Sequence, residues 1–414
     1  MTQPPRAPTD RPASCPADAP PRICFVGLEN LPVLAPAYNR HGIGGEQVQH
    51  TLLARALARR GFEVSMVVAD YGQAAVERID GITAYRACGL NEGIPVLRFL
   101  HPRITKLWAA LKQADADVYY VSCASNQLGV VARFAQLHHR RVVFRIAHDT
   151  DCEPDQLLIP YWRDKKLYEY GLRRASVVLA QSAQQARALK ANYGLDSVLA
   201  SMLVDAPERV RPFEQREVDV LWVNNLRPFK RPGLALELAR RLPQLQLHLV
   251  GGPQAGHEAL YERTAAEARD IANLHFHGQV PYHDVNRHYE SARVFVNTSE
   301  VEGFPNSYLQ AWRRGTPVVA FFDPDGVIAR EGLGIAIDEK AGPADRADPI
   351  AAMARQVLQL ARSRDDWARA SARCQLHMQT HHGDDTVLAP YLQALMPAPA
   401  ARRPTATLAL EASP

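Results

Sequence analysis

Arg22-Ile-Cys-Phe-Val-Gly27 is a short apolar run closed by glycine, and Phe62-Glu-Val-Ser-Met-Val-Val-Ala69 is a second such run. Between them a loop leads to Gly44-Gly45, and residues 46–60 turn helical, with Val48, Leu52, Leu53, Ala56 and Leu57 recurring on one face. Arg59 and Arg60 fall in the last turn, and Gly61 can supply the left-handed cap. Strand, loop, helix, strand is a βαβ unit, which needs a parallel sheet covered by helices on both faces.

The same rhythm extends outward. Apolar runs at 118–121, 142–146 and 177–180 predict further strands, separated by helical stretches. After the polar, proline-containing stretch 207–217 the alternation restarts, with strands predicted at 218–223, 245–250, 274–277, 294–297, 317–322 and 334–337. Helices fill the gaps; the one over 232–242 begins with proline at a permitted first-turn position. Two βα series joined by one linker imply an α/β protein of two doubly wound, Rossmann-like domains, 22–206 and 217–380. A helix over 385–396 is placed to cross back to the first domain. A single (β/α)8 barrel is the alternative, but it would lack the break at 207–217. In open α/β sheets ligands bind outside the carboxyl ends of the strands, so the cleft between the halves is the expected site.

Composition agrees. A chain of 414 residues exceeds the roughly 250–300 at which one core stops growing. With 47% apolar and 22% charged residues it reads as an ordinary soluble globular protein. No apolar run approaches the roughly 20 residues that span a bilayer. A net charge of +4, with arginines spread along the whole chain, gives no nucleic-acid signature. Cys15, Cys24, Cys88, Cys123, Cys152 and Cys374 lie far apart without a CxxC pair, which disfavours a disulfide scaffold or zinc ribbon and fits a reducing cytoplasm. Residues 1–21 carry seven prolines and no signal-peptide core, so they are expected to be a disordered leader; 397–414 read as a flexible tail.

Chemistry concentrates in Asn297-Thr-Ser-Glu-Val-Glu-Gly-Phe-Pro-Asn-Ser-Tyr-Leu-Gln-Ala-Trp-Arg-Arg-Gly-Thr-Pro-Val-Val-Ala320. A strand ends at Asn297, a polar loop carries Glu300 and Glu302, Gly303 permits a sharp bend, and Pro305 suits a first helical turn. The helix runs to Arg314 and ends at Gly315. Its start would present the N–H groups of Asn306, Ser307 and Tyr308 to an anion. A loop of solvated acids before a capped helix is the plain alternative.

This stretch resembles the E-x7-E region of retaining glycosyltransferases of the GT-B fold, family 4 (glycosyl transferases group 1), whose motif reads like EGFG-x4-EA. Here it is Glu302-Gly-Phe-Pro-Asn-Ser-Tyr-Leu-Gln310-Ala. The resemblance implies that Glu302 binds hydroxyls of a donor sugar, with Gly303, Phe304, Pro305, Asn306 and Ser307 around it. The second glutamate, which holds the ribose diol, is replaced by Gln310, so hydrogen bonding is kept and charge assistance lost. Gly44-Gly45-Glu46 resembles the family's first loop, which faces the donor phosphates and the acceptor. On its own Gly42-x-Gly44-Gly45 is a weak signal, not the G-x-G-x-x-G of a dinucleotide site, and a simple tight turn is the plain alternative. Trp222-Val-Asn-Asn-Leu-Arg-Pro-Phe-Lys-Arg-Pro232 is similar to the diphosphate-binding segment. Lys230 matches its lysine, Asn225 stands where its arginine would be, and Arg227 is the candidate substitute. His148, at a strand end, corresponds to a histidine that contacts the donor sugar, with Asp149 and Asp151 to orient it or touch acceptor. Gly251 and Val280 would border the base.

The resemblance thus implies a hexosyltransferase that moves sugar from a nucleotide diphosphate donor to a saccharide, lipid-linked or small-molecule hydroxyl in polysaccharide or glycolipid synthesis. Catalytic roles fall to His148, Glu302 and Lys230. No cofactor and no metal are expected, although Asp115–Asp117, Asp149–Asp151 and Asp323–Asp325 each form an Asp-x-Asp triplet. Arg140-Arg141, Arg163 to Lys166 and Arg173-Arg174 have two readings: solvated helix faces, or contact with anionic lipid at the inner membrane face. Two rival functions stand: a catalytically inactive nucleotide-sugar-binding partner, and a GT-B nucleotide-sugar epimerase, which would need cleft carboxylates for acid/base work.

Overall fold

A computed structural model describes residues 20–38, 44–94, 97–254, 256–339 and 348–396. The expected tail, nearly all of the expected leader and Gly42 lie outside the described residues. The first sheet contains β1 (Ile23–Val26), β2 (Val64–Val68), β3 (Val76–Ile79), β4 (Ile82–Arg86), β5 (Val118–Ser122), β6 (Arg141–Arg145), β7 (Val177–Ala180) and β8 (Val198–Leu199) in the order β3-β4-β2-β1-β5-β6-β7-β8. The second contains β9 (Val218–Val223), β10 (Leu247–Val250), β11 (Leu274–Gly278), β12 (Ala292–Asn297), β13 (Val318–Ala320) and β14 (Gly334–Ala336), ordered β11-β10-β9-β12-β13-β14. Each sheet reverses direction beside its first strand, where β1 lies between β2 and β5 and β9 between β10 and β12.

Burial on both faces explains why these strands read as continuous apolar runs. Along β1, Cys24 and Val26 join one core with Tyr119, Phe134 and Phe144, while Ile23 and Phe25 join another with Leu53, Met66 and Leu388. The second domain repeats this division, with Val220 and Trp222 on one side of β9 and Val218 and Leu221 on the other.

Three expectations need correction. The first sheet is mixed: β3 and β4 pair antiparallel at its edge, across Asp80-Gly81, whose φ values of +50° and +81° make the tight turn a two-residue hairpin requires. The 207–217 stretch is not all surface linker, because the Arg216 guanidinium is buried beneath the second domain. It donates to the Arg211 carbonyl at 3.0 Å and Thr316 Oγ1 at 2.7 Å, and it stacks on Trp367. Arg140 and Arg141 do not form an open basic face. Arg140 binds Asp115 and Asp117, and Arg141 donates to the carbonyls of Ala394 and Met396, 3.0 and 2.6 Å away, at the end of the last helix.

That last helix, Asp384–Leu395, packs Val387, Leu388 and Tyr391 into the core of the first domain, and Tyr391 Oη donates to the Ser201 carbonyl at 2.9 Å. The domains also meet beside the cleft. The Asp325 carboxylate accepts the N–H groups of Ala183 and Gln184 at 2.8 and 3.1 Å, capping a first-domain helix (Ala183–Tyr193) from the second domain. Gln49 Nε2 donates to Asn306 Oδ1 at 3.0 Å, and the Phe304 N–H to Gln181 Oε1 at 3.3 Å.

Candidate active site

The residues expected to catalyse or to hold the donor line one cleft of about 470 Å³ at the carboxyl ends of the strands; Tyr308, Asp149 and Asp151 do not. On the second-domain side, two loops are sewn together. Thr298 Oγ1 accepts from Trp222 Nε1 at 2.9 Å and donates to the Lys230 carbonyl at 2.7 Å. Arg231 Nε donates to the Thr298 carbonyl at 2.7 Å, and the Glu300 N–H to the Phe229 carbonyl at 2.9 Å. Arg231 itself is clamped by both carboxylate oxygens of Glu339, at 2.7 and 2.8 Å. The stitching carries Lys230 onto Glu302, 72 positions away, and Lys230 Nζ hydrogen-bonds Glu302 Oε1 in a mostly buried ion pair. Burial alone would raise the Glu302 carboxyl, but the Lys230 ammonium, with help from Ser299 and Asn297, outweighs it and holds the group below its ordinary range.

Beside this pair, Asn225 follows β9. The Arg227 guanidinium rests on Gln254 Oε1, with Nε and Nη2 at 3.2 and 2.9 Å. Arg227 therefore lines the cleft that Asn225, in the place of the family's arginine, also lines. Gly251 follows β10, Gly252 comes next, and Val280 lies just past β11. The helix Asn306–Arg313 starts at the cleft, with Asn306 and Ser307 in the wall. Tyr308 is a correction: its N–H is taken by the Pro305 carbonyl at 3.1 Å, and its ring is buried. Gln310 is buried on the next turn and donates from Nε2 to Asn286 Oδ1 at 3.4 Å.

His148 comes from the opposite wall, just beyond β6. Buried Asp151 holds it by the backbone, accepting the N–H groups of Ala147 and His148 on Oδ2 at 3.0 and 3.1 Å. Asp149 instead accepts from Gln185 Nε2 at 2.9 Å, and burial, with the charges of Asp325, Asp151 and Glu302, pushes its carboxyl up to about 6. Of the other Asp-x-Asp triplets, Asp115 and Asp117 bind Arg22 and Arg140, Asp325 makes the inter-domain cap, and Asp323 accepts the N–H groups of Ile328 and Ala329. Gly303 is where the walls touch: a Cβ there would stand 2.3 Å from the Ala147 carbonyl oxygen, so only glycine allows this approach.

Sequence reasoning missed Arg145, the last residue of β6. Its side chain is only 2% exposed, it lines the cleft, and its Nε and Nη2 find no hydrogen-bond partner among the described residues. An arginine inside the apolar run Val142-Val-Phe-Arg-Ile146, with no acid beside it, was the available signal. Glu46, in the first turn of the helix Gly45–Arg59, was noted only as part of the loop motif. Burial, with the charge of Glu29, drives its carboxyl up to about 8 despite Arg145. A second cavity of about 710 Å³ continues from the cleft into the first domain. It shares Glu29, Gln254 and Gln279 with the cleft and is walled by Tyr71, Asn91, Phe99, Arg103 and Gln127.

Comparisons with known proteins follow the same division. Residues 206–371 match the family described as glycosyl transferases group 1, and residues 44–203 match a glycosyl transferase 4-like domain. The D-inositol 3-phosphate glycosyltransferase of Geodermatophilus obscurus is 27% identical over 82% of this chain and 84% of its own. Among solved structures, Anabaena HepE in complex with UDP and glucose superposes with a TM-score of 0.65 at 16% identity, covering 91% of this chain and 99% of that one. WaaG, a glycosyltransferase involved in lipopolysaccharide biosynthesis, gives a TM-score of 0.63 at 15% identity over 90% and 98%.

Proposed function

The chain belongs to family 4 of the GT-B glycosyltransferases, and from that premise we propose that it transfers a hexose from a nucleotide diphosphate sugar to a hydroxyl acceptor with retention of anomeric configuration. The observation that carries this reading is the buried Lys230–Glu302 pair at the cleft, facing His148 across the domain gap.

In this reading the donor diphosphate lies against Lys230, Arg227 and the N–H groups of Asn306 and Ser307. Cations and a helix start placed where negative charge develops stabilise the departing diphosphate. Glu302 exchanges Lys230 for hydroxyls of the donor sugar, and His148 meets that sugar from the first domain. The sugar–phosphate bond breaks toward an oxocarbenium-like sugar. The acceptor oxygen then bonds to the anomeric carbon from the same face, and its proton passes to the leaving phosphate. Before a donor binds, the Lys230–Glu302 pair compensates two charges that would each be costly to bury alone.

The acceptor is assigned to the 710 Å³ cavity, and the protein to the cytoplasmic face of an anionic membrane that supplies a lipid-linked saccharide. Support comes from the surface beside that cavity. Phe99 lines it and carries the Arg163 guanidinium 3.7 Å from its ring. Around this contact Ile94, Leu100, Leu158, Tyr161 and Trp162 are exposed, Trp162 to 78%. Aromatic and basic side chains together suit a lipid–water interface. No helix among the described residues is long and apolar enough to cross a membrane.

The test is incubation with UDP-, GDP- and ADP-sugars plus a membrane lipid extract, followed by release of nucleotide diphosphate and the anomeric configuration of the product. Release that depends on acceptor, with retained configuration, is expected; binding of donor without release under every acceptor sinks the transferase reading. Flotation with anionic vesicles should fall in Trp162→Ala, and unchanged flotation removes the membrane assignment alone.

A further inference from the structure

Among the described residues one cluster of three side chains can hold a metal ion: His248, His277 and His288, on the outer edge of the second domain. His248 lies on β10 and His277 on β11, the edge strand. Leu247 and Leu249 turn to the opposite face, into the core that also takes Leu274, so the histidines project together. His288 reaches them from the helix Tyr282–Ser291, and the ligating nitrogens all lie within 4.8 Å of one another. We propose that these three imidazoles form a binding site for a divalent transition-metal ion of the zinc class.

Two features point to a ligand rather than a hydrogen-bonded stack. His277 Nε2 and His248 Nδ1 share one contact at 3.0 Å, but His288 Nε2 is buried with no hydrogen-bond partner. His275, whose ring stands 4.8 Å from that of His248, has its Nε2 engaged by Gln246 Oε1 at 2.9 Å, leaving the triad as the convergent set. Three imidazole nitrogens, with His277 exposed at the solvent side, are a donor set that suits zinc.

The ion would be structural. It lies away from the cleft, but it would tie the helix Tyr282–Ser291 to the sheet edge. That helix also supplies Tyr282, Val285 and Tyr289 to the cleft wall, and its Asn286 meets Gln310. The site itself does not depend on the glycosyl-transfer reading.

The test uses the full chain without an affinity tag, stripped with chelator, then titrated with Zn2+ against a chromogenic competitor and with Co2+ by visible absorption. One ion per chain is expected, with a tetrahedral Co2+ spectrum and a raised melting temperature. His277→Asn and His288→Ala should each weaken binding by more than about tenfold, while His101→Ala, far from the cluster, leaves it unchanged. His277→Asn changes an exposed side chain, so equal melting temperatures of the metal-free proteins separate lost ligation from lost folding. Equal affinity in wild type and the two cluster variants, or no binding of Zn2+ by wild type, overturns the proposal.

Discussion

The two walls of the cleft are built in opposite ways. The second-domain wall pairs its charges internally: Thr298 joins its two loops, Arg231 is clamped by Glu339, and Lys230 neutralises Glu302, while Asn224 Nδ2 and Tyr289 Oη are buried without a hydrogen-bond partner among the described residues. The first-domain wall is left unfinished. Arg145 keeps two guanidinium nitrogens without a hydrogen-bond partner among the described residues, and Glu46 is held far from its ordinary ionisation. Charges already paired with each other can stand preorganised before a ligand arrives. A buried guanidinium with unpaired nitrogens keeps hydrogen-bonding capacity for what fills the gap.

The sharpest way to break this contrast is to remove one partner from the charge-paired wall. Lys230→Met strands a buried carboxylate and should cost about 3–5 kcal/mol of stability in denaturant unfolding. The double variant Lys230→Met/Glu302→Leu should recover most of that loss. A single variant as stable as wild type would show that the pair is not the keystone of its wall. Next in size is Gly303→Ala, where the new methyl meets the Ala147 carbonyl and pushes the walls apart. Turnover should drop by about 100-fold through misplacement of reacting groups, with folding largely kept. Unchanged turnover would mean that the contact is dispensable.

The unfinished wall is tested by pH. Glu46 has a folded value of about 8, above the roughly 4.3 of an unfolded chain. The folded state thus binds its proton more tightly, and this contribution is full below about pH 4 and is lost as pH rises toward 8. Glu46→Gln cannot ionise, so its melting temperature should gain on wild type between pH 5 and pH 8.5. A difference that stays constant across that range would contradict the assignment. The smallest effect is expected from Gln310→Glu. Restoring a charge-assisted acceptor where Gln310 now lines the cleft should tighten nucleotide diphosphate by a few fold, about 1 kcal/mol, in calorimetric titration. Weaker binding would remove Gln310 from the nucleotide site.

Much of the fold was legible because strands buried on both faces must be apolar throughout, as in residues 218–223 and 294–297. The β3–β4 hairpin escaped because Val76-Glu-Arg-Ile79 alternates polar and apolar residues; Asp80-Gly81 was the sign that a hairpin turned there. Which residues line the cleft could be read from motif order and strand ends. Their partners could not. Lys230 and Glu302 were assigned to phosphate and sugar as separate groups, and nothing in either segment reveals that Thr298 bonds to the Lys230 carbonyl and draws them together. Arg145 was hidden by its apolar neighbours, which identified its strand and obscured its side chain. Arg141, read as part of a basic patch, serves the last helix, a contact over 254 positions that no local pattern encodes.

The central claim is that Lys230 and Glu302 form the centre of donor chemistry, and one measurement bears on it most directly. Once a competent donor and acceptor pair is found, acceptor-dependent release of nucleotide diphosphate is compared in wild type, Lys230→Ala and Glu302→Ala, each checked for folding. Rates at least about 1,000-fold below wild type in both variants are predicted, the loss that accompanies removal of a group stabilising transition-state charge. Wild-type turnover in either one would contradict the account.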